Sequence, residues 1–274
     1  MTETTRIRVG DIHLSCQTHG YGEPLLLVNG MHTARAWHPL LPAFTSAGYQ
    51  VTLFDQRGYL PSDVPEPPYS YEQMAEDTIG LIEELGIGPC HLLGGSGGAL
   101  TIQRVCLLRP DLVRSAVLIN GLGNFSPAGR VIVEATAELY ALPKPPMAAV
   151  NMAVVIANLP APSYHDPDAL ARAMTLSRDV LDPRSAPPAG RLGHALACVD
   201  WETADHHTEL ETLTRPVLVL YGQHDVLFPP FHVLRTAQVI PDARCVEIPG
   251  AAHLYFPHLD TIARHALTFL DKRR

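Results

Sequence analysis

Short, continuous apolar runs alternating with helix-patterned segments constrain this chain more than any other feature. The runs are PLLLVNG (24–30), YQVTLFD (49–55), CHLLGG (90–95), SAVLING (115–121), PVLVLYG (216–222) and RCVEIPG (244–250). Apolar side chains at consecutive positions, rather than alternate ones, suit strands covered on both faces, as in a parallel sheet. Helical periodicity fills the intervals at about 34–47, 71–86, 97–109, 230–239 and 257–271. Strand–helix–strand units of this kind are right-handed and place helices on both sides of the sheet. At the N-terminus TRIRVG and IHLSCQTHG flank Gly10-Asp11, a hairpin turn signal. The expectation is an α/β fold with a mostly parallel, eight-stranded sheet flanked by helices.

One interval breaks the alternation. Between Gly123 and about Thr214 there is no strand pattern, but three or four helical stretches occur at 130–142, 146–158, 167–181 and 189–204, punctuated by LPKPP, LPAP and DPRSAPP. A crossover of that length is unusual, and an inserted helical cap accounts for it better. The expected division is a core of 1–122 and 213–274 with a cap of 123–212. The stretch MAAVNMAVVIANL is apolar on nearly all sides, so it either packs fully or lines an apolar cavity.

Composition narrows the function classes. At 274 residues and 46% hydrophobic, the chain suits one large domain, or a core with an insertion. No apolar run reaches the roughly 18–20 residues of a membrane span, and MTETTRIRVGD has no signal-peptide core. A net charge of −8 gives no footprint for nucleic acid. The five scattered cysteines read as reduced core residues in a cytoplasmic protein rather than a disulfide framework. Among the fourteen histidines only the pair His206-His207 suggests a metal, and a solvated cap or loop face is the plainer reading. No metal site, membrane or nucleic-acid partner is expected, and the chain is expected to act as a monomer or homodimer. The Ala-, Pro- and Arg-rich, lysine-poor composition points to a GC-rich bacterial genome.

The chemistry-bearing segment is HLLGGSGGALTIQ, residues 91–103. Gly94-Gly95-Ser96-Gly97-Gly98 fits G-x-S-x-G between a strand run and a helix pattern. A turn this sharp strains the serine backbone, and glycines two residues either side avoid clashes with neighbouring chain. Ser96 then stands at a helix N-terminus, where free N–H groups favour developing negative charge. No G-K-[ST] follows, which argues against a phosphate loop. A serine nucleophile needs a base, and the base an orienting carboxylate. Asp225 follows the run PVLVLYG and His253 follows RCVEIPG, so all three residues fall at carboxyl ends of strands. Ser96, Asp225 and His253 are the expected triad, with the Gly97 amide as one oxyanion donor.

Nearly the whole chain resembles the α/β-hydrolase fold family, in its serine-nucleophile branch with a helical cap. The resemblance rests on the elbow, on YGQHDVLFP and IPGAAHLYFPH, and on FDQRGYLPSD (54–63), which departs from the family's D-x-R-G-x-G-x-S at Leu60. It implies that Asp55 and Arg57 brace their loop, and that the loop after LLLVNG supplies a second oxyanion donor from the Met31 amide. Asn29 stands where the family usually has histidine. Its amide holds the loop or points at a substrate. Gly30, His32 and Trp37 join it as pocket candidates. The implied activity is cofactor-free hydrolysis of an ester, thioester or lactone of a small to medium, mainly apolar molecule, in keeping with secondary metabolism. An acyltransferase, an eliminating lyase, a C–C bond hydrolase and a non-catalytic ligand-binding protein are the alternatives on the same scaffold.

Overall fold

The computed structural model describes residues 4–180, 182 and 184–273, with the side chains of 176–180 outside that description. Position 181, the end of one expected helix, also lies outside the described residues. The strands are β1 (Thr5–Val9), β2 (Ile12–His19), β3 (Glu23–Val28), β4 (Tyr49–Asp55), β5 (Cys90–Gly95), β6 (Val113–Ile119), β7 (Val217–Gly222) and β8 (Ala243–Ile248). They form one sheet in the order β1-β2-β4-β3-β5-β6-β7-β8. β2 pairs antiparallel with β1 and with β4, and every other pairing is parallel. This is the eight-stranded, mostly parallel sheet that the apolar runs predict, and β5 and β7 are buried along their whole length.

The α-helices are α1 (Leu41–Ser46), α2 (Tyr71–Leu85), α3 (Gly97–Leu108), α4 (Pro127–Ala141), α5 (Met147–Asn158), α6 (Pro167–Val180), α7 (Pro188–Trp201), α8 (His206–Glu209), α9 (Pro230–Ala237) and α10 (Leu259–Leu270). The expected helix at 34–47 is instead a 3-10 turn, Ala34–Leu40, running into the short α1. Pro39 and Pro42 remove backbone donors there and prevent a continuous α-helix. Alternate strand residues sort into two cores. Leu26, Leu92, Leu118 and Val219 pack with Met74 of α2, Val105 of α3 and Val233 of α9. Leu27, Leu93, Val117 and Leu218 pack on the other face with Phe44 of α1 and Ile262 and Phe269 of α10.

Helices α4 to α8 all fall between β6 and β7. α4 and α7 join the first core through Val133, Ala197 and Trp201, and α4, α5 and α7 share a smaller cluster around Tyr140, Val150 and Ala195. Among the described residues no helix is long and apolar enough to cross a membrane. All five cysteines are free thiols, four of them buried.

Candidate active site

The turn joining β5 to α3 carries Ser96 with φ 54° and ψ −125°, a left-sided backbone that side-chain-bearing residues rarely hold. Its N–H donates to the Ile119 carbonyl at 2.8 Å, which ties the turn to β6. The glycine requirement is steric: a methyl group on Gly98 would overlap the Val28 carbonyl oxygen, and one on Gly94 would lie 2.7 Å from that same atom. The turn is therefore among the tightest in the molecule, despite a composition that suggests looseness. Ser96 itself is half-buried at the first turn of α3, where the N-terminal amides leave partial positive charge.

Asp225 follows β7 and His253 follows β8, and β5, β6, β7 and β8 are consecutive parallel strands, so these ends lie along the same edge of the sheet as the end of β5. Asp225 Oδ2 lies 2.9 Å from His253 Nδ1, and His253 Nε2 lies 2.8 Å from Ser96 Oγ. The other carboxylate oxygen, Oδ1, accepts the N–H groups of Leu227 and Phe228 at 2.8 and 3.1 Å. A carboxylate only accepts, so the imidazole proton sits on Nδ1 and the Nε2 lone pair faces the serine hydroxyl. The three residues that the sequence singles out thus form one hydrogen-bonded line.

Met31 and Gly97 also converge here. Met31 lines the same cavity as Ser96, and Gly97 opens α3 beside Gly30 of the β3 loop. Of the four residues expected to wall a pocket, only His32 does so. Asn29 is fully buried, with Nδ2 donating to the His32 carbonyl and its own carbonyl accepting from Gln56 Nε2, so it ties the loop rather than facing a ligand. Gly30 is buried, and a methyl group on it would lie 2.7 Å from the Gly95 carbonyl oxygen and 3.2 Å from the Gly97 nitrogen. Trp37 belongs to the second core and stacks on Tyr255 with 5.5 Å between rings.

The braces implied by the resemblance have clear partners. Asp55 accepts the Ala34 N–H at 2.7 Å, and burial pushes its carboxyl up to about 6. Arg57 grips Asp77 through two bonds of 2.6 and 2.8 Å. The His206-His207 pair is split. His206 is buried, stacks on Trp201 at 3.4 Å, and shares hydrogen bonds with the Trp201 carbonyl and Glu209, which corrects the solvated reading. No group of three metal-ligating side chains exists among the described residues.

The sequence reading missed Asn120, at the end of β6. It holds φ 47°, a conformation asparagine tolerates better than most residues. Its Nδ2 donates to the carbonyls of Ala252 and His253 at 2.9 Å each, and its Oδ1 accepts the Gly222 N–H at 2.8 Å. One amide therefore fixes the histidine loop against the end of β7. The only available signal was an asparagine closing an otherwise apolar strand run. The stretch MAAVNMAVVIANL, open between packing and lining a cavity, supplies Val154 and Asn158 to the cavity wall, whereas Ile132, Thr136 and Tyr140 of α4, which also line it, were not singled out. That cavity measures about 160 Å³ and ends on Ser96 and His253.

Known proteins share this fold. A family model described as the alpha/beta hydrolase fold matches residues 19–257. BpoC of Mycobacterium tuberculosis, whose name assigns it provisionally to the non-heme bromoperoxidases, is 31% identical over 249 residues, covering 89% of this chain and 92% of that protein. The 2-(acetamidomethylene)succinate hydrolase of Mesorhizobium japonicum is 28% identical, covering 97% and 94%. A malate-bound thermophilic esterase from Thermogutta terrifontis superposes with a TM-score of 0.82 at 25% identity, with 98% of each chain covered. The chain belongs to the α/β-hydrolase fold family.

Proposed function

We propose that the protein is a serine hydrolase that cleaves an ester, thioester or lactone through an acyl-enzyme. The observation that carries this reading is the line from Asp225 through His253 to Ser96, with the serine on a strained turn at the floor of an apolar cavity. In the proposed reaction the Ser96 oxygen bonds to the substrate carbonyl carbon while its proton passes to His253 Nε2. The carbonyl electron pair moves onto oxygen, and the amides of Met31 and Gly97 stabilise it. Collapse breaks the bond to the leaving group, which takes the proton from His253. Water, deprotonated by the same imidazole, then releases the acid and restores Ser96. Asp225 keeps the proton on Nδ1 and stabilises the imidazolium. The steps need only these side chains, the backbone amides and water.

In this reading α4 to α7 are the cap, and they shape the acyl pocket. None of the described residues lining the cavity is Asp, Glu, Lys or Arg. A carboxylate placed there has no cation to offset its desolvation, so the favoured acyl group is neutral and apolar. This contrasts with the succinate named for the Mesorhizobium relative. Apolar cavities of roughly 150 Å³ take molecules the size of benzene, which sets the scale of the group.

A fluorophosphonate probe should add covalently to the wild-type protein and not to Ser96→Ala, and p-nitrophenyl esters of short to medium acyl chains should turn over with the same dependence. Equal labelling of both proteins, or turnover that survives the substitution, would refute the assignment of Ser96.

A further inference from the structure

Tyr255 stands two residues after His253 and is buried, yet the reaction above gives it no task. Its hydroxyl lies 2.8 Å from His32 Nε2. The other ring nitrogen of His32, Nδ1, lies 3.0 Å from the Thr33 carbonyl. A carbonyl only accepts, so Nδ1 carries the proton and Nε2 is a bare acceptor. Tyr255 is therefore the donor, and His32 is a neutral imidazole with both nitrogens engaged. Burial favours the same state, holding the His32 pKa down at about 4. The arrangement also leaves His32 unable to serve as a second general base, although it lines the cavity.

Four further contacts fix His32 in place. The Gly30 N–H approaches Nε2 at 3.4 Å, and Asn29 Nδ2 donates to the His32 backbone carbonyl. The ring meets Trp37 and Phe256 edge-on, at 5.5 and 5.2 Å between centroids. Tyr255 is confined on its other side, because a methyl group on Gly95 would lie 2.5 Å from its ring and hydroxyl. Tyr255 thus touches the residue before the nucleophile, the loop of the general base, and the loop that holds the Met31 amide between Gly30 and His32.

We propose that Tyr255 is a positioning residue that, through its hydrogen bond to His32, holds the Met31 amide in register with Ser96 and His253. The proposal rests on the serine-hydrolase reading. Without the bond, the 29–33 loop keeps its own internal ties but loses its hydrogen bond to the histidine loop and is left with ring contact alone, to Phe256 and the residual ring at 255. The oxyanion donor then samples positions off the line of the developing charge. An interaction made only with the tetrahedral state affects kcat and leaves substrate binding alone.

The test compares wild type with Tyr255→Phe, His32→Gln and His32→Leu on a p-nitrophenyl ester and on a trifluoromethyl ketone that forms a tetrahedral adduct with Ser96. Tyr255→Phe should lower kcat about tenfold, leave KM within about twofold, and weaken the ketone by about the same factor as kcat. His32→Gln retains an acceptor for the tyrosine hydroxyl and should keep more of kcat than His32→Leu, and Tyr255→Phe combined with His32→Leu should be no worse than the poorer single variant. Circular dichroism and fluorophosphonate labelling of Ser96 show which variants are folded, so His32→Gln carries the test if Tyr255→Phe is not. A wild-type kcat and ketone affinity in Tyr255→Phe would overturn the proposal, as would equal losses in kcat and KM that accompany a lower melting temperature. Absence of Ser96-dependent turnover in the wild type would instead overturn the hydrolase reading itself.

Discussion

The floor and the roof of the cavity are built on different principles. The floor is made of strand-end turns whose polar groups are buried and paired: Ser96 with His253, His253 with Asp225, Asp225 with two backbone amides, and Asn120 with three backbone atoms. The roof is α4, α5 and α7, held mainly by aliphatic contact around Tyr140, Val150 and Ala195. α5 carries no charged side chain and buries only Val150 and Ala157 fully, while Met147, Met152 and Ile156 are 47%, 61% and 43% exposed. Hydrogen bonds are directional, so the floor specifies positions to fractions of an ångström. Apolar contact is not directional, so the roof specifies volume and polarity but tolerates exchange. Under the proposed reaction, the difference separates chemistry from selectivity.

That division breaks down most visibly if a floor residue outside the triad behaves like a roof residue. Asn120→Ala deletes three hydrogen bonds, leaves the Gly222 N–H and two carbonyls unsatisfied, and places alanine at φ 47°. The expected cost is about 2–4 kcal/mol, of which the strained backbone accounts for roughly 1. The His253 loop is also released, and a displacement near 1 Å at a reacting group lowers turnover by about 100-fold. Urea unfolding and kcat on a p-nitrophenyl ester measure the two effects. A stable variant with wild-type kcat would show that Asn120 is not part of the floor.

A roof substitution should change selectivity instead of turnover. Val154 lines the cavity from α5 and is half-buried. Val154→Phe fills part of the 160 Å³ and should lower kcat/KM for longer acyl chains about tenfold relative to acetyl, since a methylene or two in an apolar pocket is worth 1–3 kcal/mol. The rate on acetyl esters should stay close to wild type. Equal loss on all chain lengths would place Val154 in the chemistry rather than in the fit.

The same contrast explains what was legible in the sequence. Continuous apolar runs specify the buried strands because burial on both faces leaves no other pattern open to them, and β5 was readable to the residue. Ser96, Asp225 and His253 were readable because each follows a strand, and sheet order then brings strand ends together. Asn120 and Tyr255 were not, because their roles come from partners 132 and 223 residues away, and no local pattern encodes such distances. Trp37 was ambiguous for a related reason: an aromatic residue on a loop faces core or cavity according to what packs over it. The apolar stretch 147–159 was legible only as packed or cavity-lining, because alanine and valine on a helix look the same whether they meet another helix or an empty pocket.

A further expected effect lies where floor and roof meet. His194 of α7 is buried, and its Nε2–H donates to the Arg57 carbonyl at 2.8 Å, with the rings of Tyr59 and Tyr69 against it. Burial pushes its pKa down to about 4, as it does for His32. A free histidine titrates near 6.5, so the unfolded chain takes up protons that the folded one refuses. The stability these residues contribute is complete above about pH 6.5 and is lost as pH falls towards 4. Asp55 acts in the opposite direction, since its carboxyl is raised to about 6 and the folded state gains relative stability as pH drops below that value. Among these three groups the two histidines outweigh the one carboxyl, so together they favour unfolding in acid. His194→Gln keeps a donor for the Arg57 carbonyl and removes the titration. Between pH 6.5 and 4.5 it should therefore lose about 2 kcal/mol less than wild type, read as unfolding midpoints in urea. The same pH slope in both proteins would show that α7 does not carry its histidine neutral against the floor, and that the roof is seated by apolar contact alone.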